Sequence, residues 1–170
     1  MLPLALLIAL GPTKHPIAPT RAELATKYKT FNQAVIRSDA AACVKLMWPD
    51  YVYVFSDDTL MRRQEYLSRL FTTVHDLSGP KMWTTVDHVT QDKTGVTVSI
   101  RRFLVGVTKN SQDQKAHQFK RIATGTDLWI SGAKGWLLKK TNMSKTETFV
   151  DGKLGRIRNG VGIGSFQRAR

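Results

Sequence analysis

The sequence predicts an α+β fold in which helices cover one face of an antiparallel sheet. Three segments in its first half carry apolar residues at helical spacing, whereas the later segments alternate as strands do. The last four strands follow one another through short turns, which is typical of an antiparallel meander. With 170 residues, 42% of them apolar, the chain has the length of one domain with a substantial core.

The first two helices have clear start signals. Thr20 can cap the first helix while the Glu23 carboxylate reaches back to the cap amide, as in a capping box. The apolar stripe that follows extends this helix to about Ser38. Asp39 can cap a shorter second helix, AAACVKLM, which ends before Pro49 because the residue ahead of a proline avoids the helical conformation.

One strand separates the second helix from the third. In YVYVFS both alternating faces are rich in strand formers, which predicts a strand buried on two sides. The third helix begins at about Arg62, and Gly79 with Pro80 ends that region. Its apolar residues recur at i, i+3, i+4 and i+7: Leu67, Leu70, Phe71 and Val74.

Four strands complete the predicted domain. Their sequences are KMWTTVDHVTQ, VTVSIRRFLVGVT, HQFKRIATGTDLWI and WLLKKTNMSKTETFV. In the third of them, alternation places Asp127 on the same side as Ala123 and Trp129, the side that looks inward. An aspartate there costs free energy unless something pairs with it, so we expect either a pocket or a structural partner at Asp127.

The two ends of the chain differ from this domain. Residues 1–19 contain an apolar run of signal-peptide length, which predicts export to the periplasm or beyond, with a disordered leader on a cytoplasmic protein as the alternative. The run is too short to span a bilayer as a helix, and no later segment is apolar enough to do so. Residues 20–152 form the predicted domain, and residues 153–170, rich in Gly and Arg, form a flexible basic tail.

Charge and composition limit the function classes. A net charge of +13 makes nucleic acid or another polyanion a possible partner. The single cysteine excludes an intrachain disulfide, and the histidines lack the spacing of zinc ligands. The sequence contains neither a phosphate-binding loop nor a serine elbow. We therefore expect no metal and no cofactor.

Three motifs, in this order, resemble the nuclear transport factor two-like superfamily, in particular its SnoaL-like branch. They are FNQAVIRSDAAACVKLMWPDYVYV from Phe31, MRRQEYLSRL from Met61 and RIATGTDLWISGAKGWLLKKTNMS from Arg121. The resemblance covers about residues 20–152 and implies a cone: a strongly curved sheet wrapped around three helices, with a blind apolar pocket at the wide end. It also implies a frequent homodimer through the outer sheet. Members include ketosteroid isomerase, polyketide cyclases and binding modules without catalysis, so the fold does not decide the function.

The resemblance implies a small apolar or aromatic ligand and cofactor-free acid/base chemistry of the isomerase, dehydratase or cyclase type. TDLW matches the pattern in which a cyclase aspartate acts as general acid or base, which assigns that role to Asp127. His88 is a candidate for the titrating partner and Tyr53 for the oxyanion stabiliser. The structural alternative is that Asp127 accepts hydrogen bonds from Arg121 or a neighbouring strand, and that His88 and Tyr53 lie at the surface or pack in the core.

Further residues are candidates for ligand contacts. They are Tyr51, Phe55, Arg101 and Trp129. Arg101 and Arg102 are adjacent on a strand, so one of them faces inward, where it either neutralises Asp127 or binds an anionic ligand. Simple packing is the alternative for the aromatic residues. Two rival functions stay open: a binding or dimerisation module without catalysis, and a polyanion-binding protein that uses the basic tail.

Overall fold

The structure, a computed structural model, describes residues 17–109 and 115–155. Its helices are α1 (Arg21–Ile36), α2 (Ala40–Lys45) and α3 (Arg63–His75). Its strands are β1 (Met47–Val54), β2 (Leu60–Arg62), β3 (Ser78–Gln91), β4 (Val96–Lys109), β5 (Ala116–Gly132), β6 (Gly135–Val150) and β7 (Lys153–Gly155). The predicted α+β class and the order of its main elements are confirmed, and β2 and β7 are two short strands that the sequence pattern does not predict.

The first helix begins at the predicted capping box. The Thr20 hydroxyl accepts a hydrogen bond from the Glu23 backbone N–H at 3.2 Å, and Glu23 Oε2 accepts one from the Thr20 backbone N–H at 2.6 Å. Both N–H groups lack a partner within the helix, so these bonds fix where α1 begins.

Thr20→Ala is expected to lower the free energy of unfolding by about 1 kcal/mol, because it removes the acceptor for the Glu23 amide. Urea unfolding followed by circular dichroism measures the change. Thr26→Ala is the control, since the Thr26 hydroxyl only donates to the Ala22 carbonyl within the same helix and alanine favours the helix. Equal losses in the two variants would contradict the capping role.

The described strands form one sheet in the order β2-β1-β6-β5-β4-β3, with β7 paired to β6. From β3 to β6 the neighbours pair antiparallel, as the meander predicts. However, β1 pairs with β6 in parallel. The sequence does not predict this pairing, because alternation within a strand carries no information about the direction of its neighbour.

The sheet is curved, and its pairing is irregular along β5. The register of β5 against β6 shifts between Thr124 and Gly125 and again between Leu128 and Trp129. Shifts of this kind bend a strand and increase its twist. At the first shift the neighbouring backbone comes so close that a Cβ on Gly125 would lie 2.1 Å from the Asn142 carbonyl oxygen. Only glycine fits there without moving the main chain.

Gly79 and Pro80, predicted to end the region of the third helix, lie inside β3. The register of β3 against β4 shifts between Ser78 and Lys81, on either side of these two residues. Gly79 has a φ of +58° and proline has no N–H to donate, so the strand continues through this dipeptide only with an interrupted ladder.

The helices pack on the concave face of the sheet. α1 contacts β3, and α3 contacts β1 and β2. Four residues that β5 directs inward by alternation are buried: Ala123, Gly125, Asp127 and Trp129. The residues between them, Thr124, Thr126 and Leu128, are only half-buried. The predicted inward side of β5 is therefore confirmed.

The terminal predictions fall only partly within the described residues. Of the leader, only residues 17–19 are described, and the Trp136 indole N–H donates to the Ile17 carbonyl at 3.2 Å. Residues 153–155, which the sequence predicts to belong to the flexible tail, form β7 and pair with β6. The rest of the leader and residues 156–170 lie outside the described residues. In the described ranges, the helices are too short or too polar for any of them to cross a membrane.

Candidate functional site

Asp127 lies at the centre of a buried polar cluster. Its carboxylate accepts hydrogen bonds from the hydroxyl groups of Tyr28 at 2.8 Å and Thr141 at 2.5 Å, and from Arg102 Nη2 at 3.2 Å. Its side chain is fully buried. The donors belong to α1, β6 and β4, so the cluster ties one helix to three adjacent strands.

The tryptophan beside Asp127 belongs to the same cluster. The Trp129 indole N–H donates to the Tyr28 hydroxyl oxygen at 2.9 Å. The two rings meet edge to face, with centroids 5.4 Å apart, an arrangement that aromatic pairs favour. Trp129 thus donates a hydrogen bond to Tyr28, the residue that contacts Asp127, and its own side chain is buried in the core.

Arg102 is the inward member of the arginine pair. Its Nη1 donates to the Tyr66 hydroxyl at 3.0 Å, while Nη2 donates to Asp127. Arg101 faces the other side of the sheet, where it binds Asp87 through Nε at 2.9 Å and Nη2 at 3.1 Å. Of the two roles predicted for the inward arginine, the structure shows Arg102 neutralising Asp127.

Burial acts on both charges of this pair. Burial raises the pKa of the Asp127 carboxyl, and the positive charge of Arg102 and the hydrogen bonds from Thr141 and Tyr28 oppose that shift. Burial also disfavours the charged guanidinium, but the neighbouring Tyr66 and Asp127 hold the pKa of Arg102 above its ordinary value. The arginine therefore stays charged and depends on Asp127 for a counter-charge.

A cavity of about 430 Å³ opens between α3 and the concave face of the sheet. Its apolar lining includes Tyr53, Phe55, Met61, Tyr66, Met82 and Leu104. Arg102 and Arg121 line it from the sheet, and Arg69 and Asp76 line it from α3 and its C-terminal cap. This size and composition are typical of sites for small organic molecules.

Three aromatic rings form one wall of the cavity. Tyr53 stacks on Tyr66 with ring centroids 4.7 Å apart and an angle of 17° between the planes. Phe55 meets Tyr53 edge-on at 4.8 Å. Burial raises the pKa of the Tyr53 phenol, so it stays protonated. The wall offers apolar area together with hydroxyl groups that remain neutral.

The structure brings only some of the predicted site residues to the cavity. Tyr53 and Phe55 line it. Asp127, Trp129 and Tyr51 are fully buried in the core and are not among its lining residues. His88 and Arg101 are exposed and lie away from it. The predicted residues therefore do not form one site.

His88 lies outside because β3 contains a bulge. Val86 is buried and pairs with Ile100, and a simple alternation would place His88 on the same inward side. The register shifts between Val86 and His88, so that His88 pairs with Ser99 instead. One extra residue in a strand reverses the face of every residue after it.

Two residues that line the cavity, Arg121 and Tyr66, are not predicted as ligand contacts from the sequence. Arg121, considered only as a donor to Asp127, makes no such bond, and Arg102 takes that place. The alternation of β5 places Arg121 on the inward side of the sheet, so the sequence did contain a signal for its position at the cavity. Tyr66 lies one position before Leu67 in the predicted stripe of α3, and both are buried.

In the described ranges, no three His, Cys, Asp or Glu side chains are grouped to hold a metal ion.

Comparison with known proteins identifies the fold. No protein-family model matches the sequence, and no curated protein does so significantly. The chain is similar to a protein of unknown function with a cystatin-like fold from Nostoc punctiforme PCC 73102, at 10% identity over 75% of this chain and 93% of that chain, with a TM-score of 0.54. It is also similar to an NTF2-like protein with a cystatin-like fold from Novosphingobium aromaticivorans, at 16% identity over 72% and 79%, with a TM-score of 0.51. An NTF2-like protein from Cytophaga hutchinsonii ATCC 33406 matches at 10% identity over 74% and 98%, with a TM-score of 0.51.

Proposed function

We propose that this chain, which has the cystatin-like α+β fold of NTF2-like proteins, binds a small and largely apolar molecule in the cavity between α3 and the concave face. The observation that carries the proposal is the cavity of about 430 Å³ with its aromatic wall of Tyr53, Phe55 and Tyr66. Small-molecule sites are concave and mainly apolar, with a few polar groups that orient the ligand. Arg102 and Arg121 supply such groups here.

The geometry supports binding without catalysis by Asp127. A general acid or base must come within hydrogen-bond reach of its substrate. Asp127 is fully buried, and Arg102, which also donates to Tyr66, separates it from the cavity. His88 is exposed and away from both. Among the functions that the fold accommodates, a ligand-binding module therefore agrees best with these positions. Export, dimerisation and polyanion binding stay predictions.

Ala123→Phe is expected to weaken binding of the neutral fluorescent probe N-phenyl-1-naphthylamine by about tenfold or more. Ala123 lines the cavity from β5, and side chains on a strand stand perpendicular to the sheet. The added ring therefore fills the space that the probe would occupy. Titration of the probe against the protein, followed by its fluorescence, measures the affinity.

Thr124→Phe is the matched control. Thr124 is the next residue in β5 and faces the opposite side of the sheet. This variant should bind the probe as the unaltered protein does, and thermal unfolding of both variants establishes that they are folded. Equal affinity of the two folded variants for the probe, whether weakened or unchanged, would contradict binding in this cavity.

A further inference from the structure

Arg121 brings a charge to the cavity without a counter-charge. It lies two positions before Ala123 on the inward side of β5 and lines the cavity. Its Nε atom is buried and has no hydrogen-bond partner among the described residues. Its guanidinium lies over the Phe119 ring, with Cζ 5.5 Å from the ring centroid. Burial lowers the pKa of Arg121; Tyr53 opposes that shift, and no carboxylate of the described residues does. A charge in this position costs free energy until an anion arrives.

The other charged residues of the cavity do not supply that anion. Arg69 pairs with Glu65 at 3.3 Å, and Arg102 pairs with Asp127. Asp76 lines the cavity but is exposed, and no salt bridge joins it to Arg121 in the described part of the chain. Arg121 is therefore the cavity arginine that lacks an acidic partner among the described residues.

Arg102 contributes a second open donor on the same wall. Its Nη atoms are occupied by Tyr66 and Asp127, but its Nε is buried without a partner among the described residues. Arg102 lies opposite Ala123 in the β4–β5 pair, and Leu104 lies opposite Arg121. The two arginines are thus diagonal neighbours on one face, about 7–8 Å apart at the backbone, which is within reach of long side chains.

We propose that the cavity binds an apolar monocarboxylic acid, with its carboxylate held by Arg121 and the free Nε of Arg102 and its body packed on the aromatic wall. This proposal rests on the proposed function and names the ligand class for that site. A guanidinium group matches a carboxylate in shape and can donate two parallel hydrogen bonds to it. Since one cation in the cavity is uncompensated, a single negative charge balances it, and a phosphate dianion would leave an excess charge in an apolar site.

A pair of competitors that differ only in charge tests the proposal. 2-Naphthoate and 2-naphthamide are titrated against the protein loaded with N-phenyl-1-naphthylamine at neutral pH, and displacement of the probe is followed by its fluorescence. We expect 2-naphthoate to displace the probe at about one tenth of the amide concentration or less. In Arg121→Gln this preference should fall to near equality. Arg101→Gln, which changes an arginine on the opposite face of the sheet that is paired with Asp87, should keep it.

The outcomes separate this proposal from the proposed function. If the probe binds but the acid and the amide compete equally in the unaltered protein, the carboxylate proposal is overturned and the binding function stands. If neither the probe nor the competitors bind, both are overturned. A preference that survives in Arg121→Gln, or stronger competition by 2-naphthyl phosphate than by 2-naphthoate, overturns the assignment of Arg121 to a monocarboxylate.

Probe binding by each variant also shows whether its cavity is intact. Should Arg121→Gln fail to fold, Arg121→Lys takes its place, because lysine keeps the charge and lacks the planar fork. We expect Arg121→Lys to bind the probe normally and to show a preference for the acid that is several-fold weaker than in the unaltered protein. An unchanged preference would overturn the role of the Arg121 fork.

Discussion

Asp127→Asn is expected to lower the free energy of unfolding by about 3 to 5 kcal/mol, the range found when one partner of a buried ion pair is removed. The amide still offers an oxygen to Tyr28 or Thr141, but it leaves the Arg102 guanidinium buried without an opposing charge. Urea unfolding at neutral pH, followed by circular dichroism, measures the loss.

The Arg101–Asp87 pair provides a control on the other side of the same sheet. Arg101 follows directly before Arg102, and its partner Asp87 accepts two hydrogen bonds from it. Both side chains are substantially exposed, and ion pairs in water contribute little to stability. Asp87→Asn should therefore cost far less than Asp127→Asn. Equal losses would contradict the view that burial makes the Asp127 pair important.

The same variant distinguishes a structural Asp127 from a ligand-binding one. At a temperature where Asp127→Asn is fully folded, we expect it to bind N-phenyl-1-naphthylamine as the unaltered protein does, because Asp127 does not line the cavity. A loss of probe binding in the folded variant would assign Asp127 to the site and would reopen the acid/base hypothesis.

Gly125→Ala is expected to destabilise the protein by about 3 kcal/mol or more, at the upper end of the usual cost of overpacking. The new Cβ would lie 2.1 Å from the Asn142 carbonyl oxygen and 2.9 Å from the Met143 Cα. Both are backbone atoms of β6, so relief requires a change in the β5–β6 pairing. Thermal unfolding measures the effect as a fall in Tm.

Gly132→Ala is the matched substitution on the same strand. Its Cβ would meet the Trp48 ring, with the nearest atom at 2.7 Å, and that ring belongs to a half-buried side chain that can turn away. We therefore expect a smaller fall in Tm for Gly132→Ala. Similar falls for both variants would show that the loss of glycine, and not the close backbone at Asn142, causes the effect.

Local patterns in the sequence predict the elements and the inward side of β5 well. The capping box at Thr20 and the alternation through Asp127 and Trp129 depend on residues close together in the chain, so they can be recognised without the fold. The partners of Asp127 cannot be recognised from local sequence. Tyr28 lies 99 positions away and Arg102 lies 25 positions away, and only the assembled sheet brings them together.

Two features of the site depend on details that alternation does not encode. The sequence predicts that either Arg101 or Arg102 faces inward, but the choice depends on the phase of β4 against β5. His88 is turned outward by a single bulge in β3. The cavity is space left between α3 and the sheet, so no local sequence pattern predicts it. Arg121 is notable because it lacks an acidic neighbour among the described residues, and that too depends on the assembled fold.

The parallel pairing of β1 with β6 also determines when this protein can finish folding. Val52 pairs with Lys140, so β1, which is synthesised early, can complete its pairing only after β6 has left the ribosome. Until then β1 lacks the strand that joins it to the rest of the sheet, and contacts between distant parts of a chain form slowly. The nascent protein therefore exposes the part of its core beside β1 for most of its synthesis, the period in which newly made chains are most prone to aggregate and depend most on chaperones.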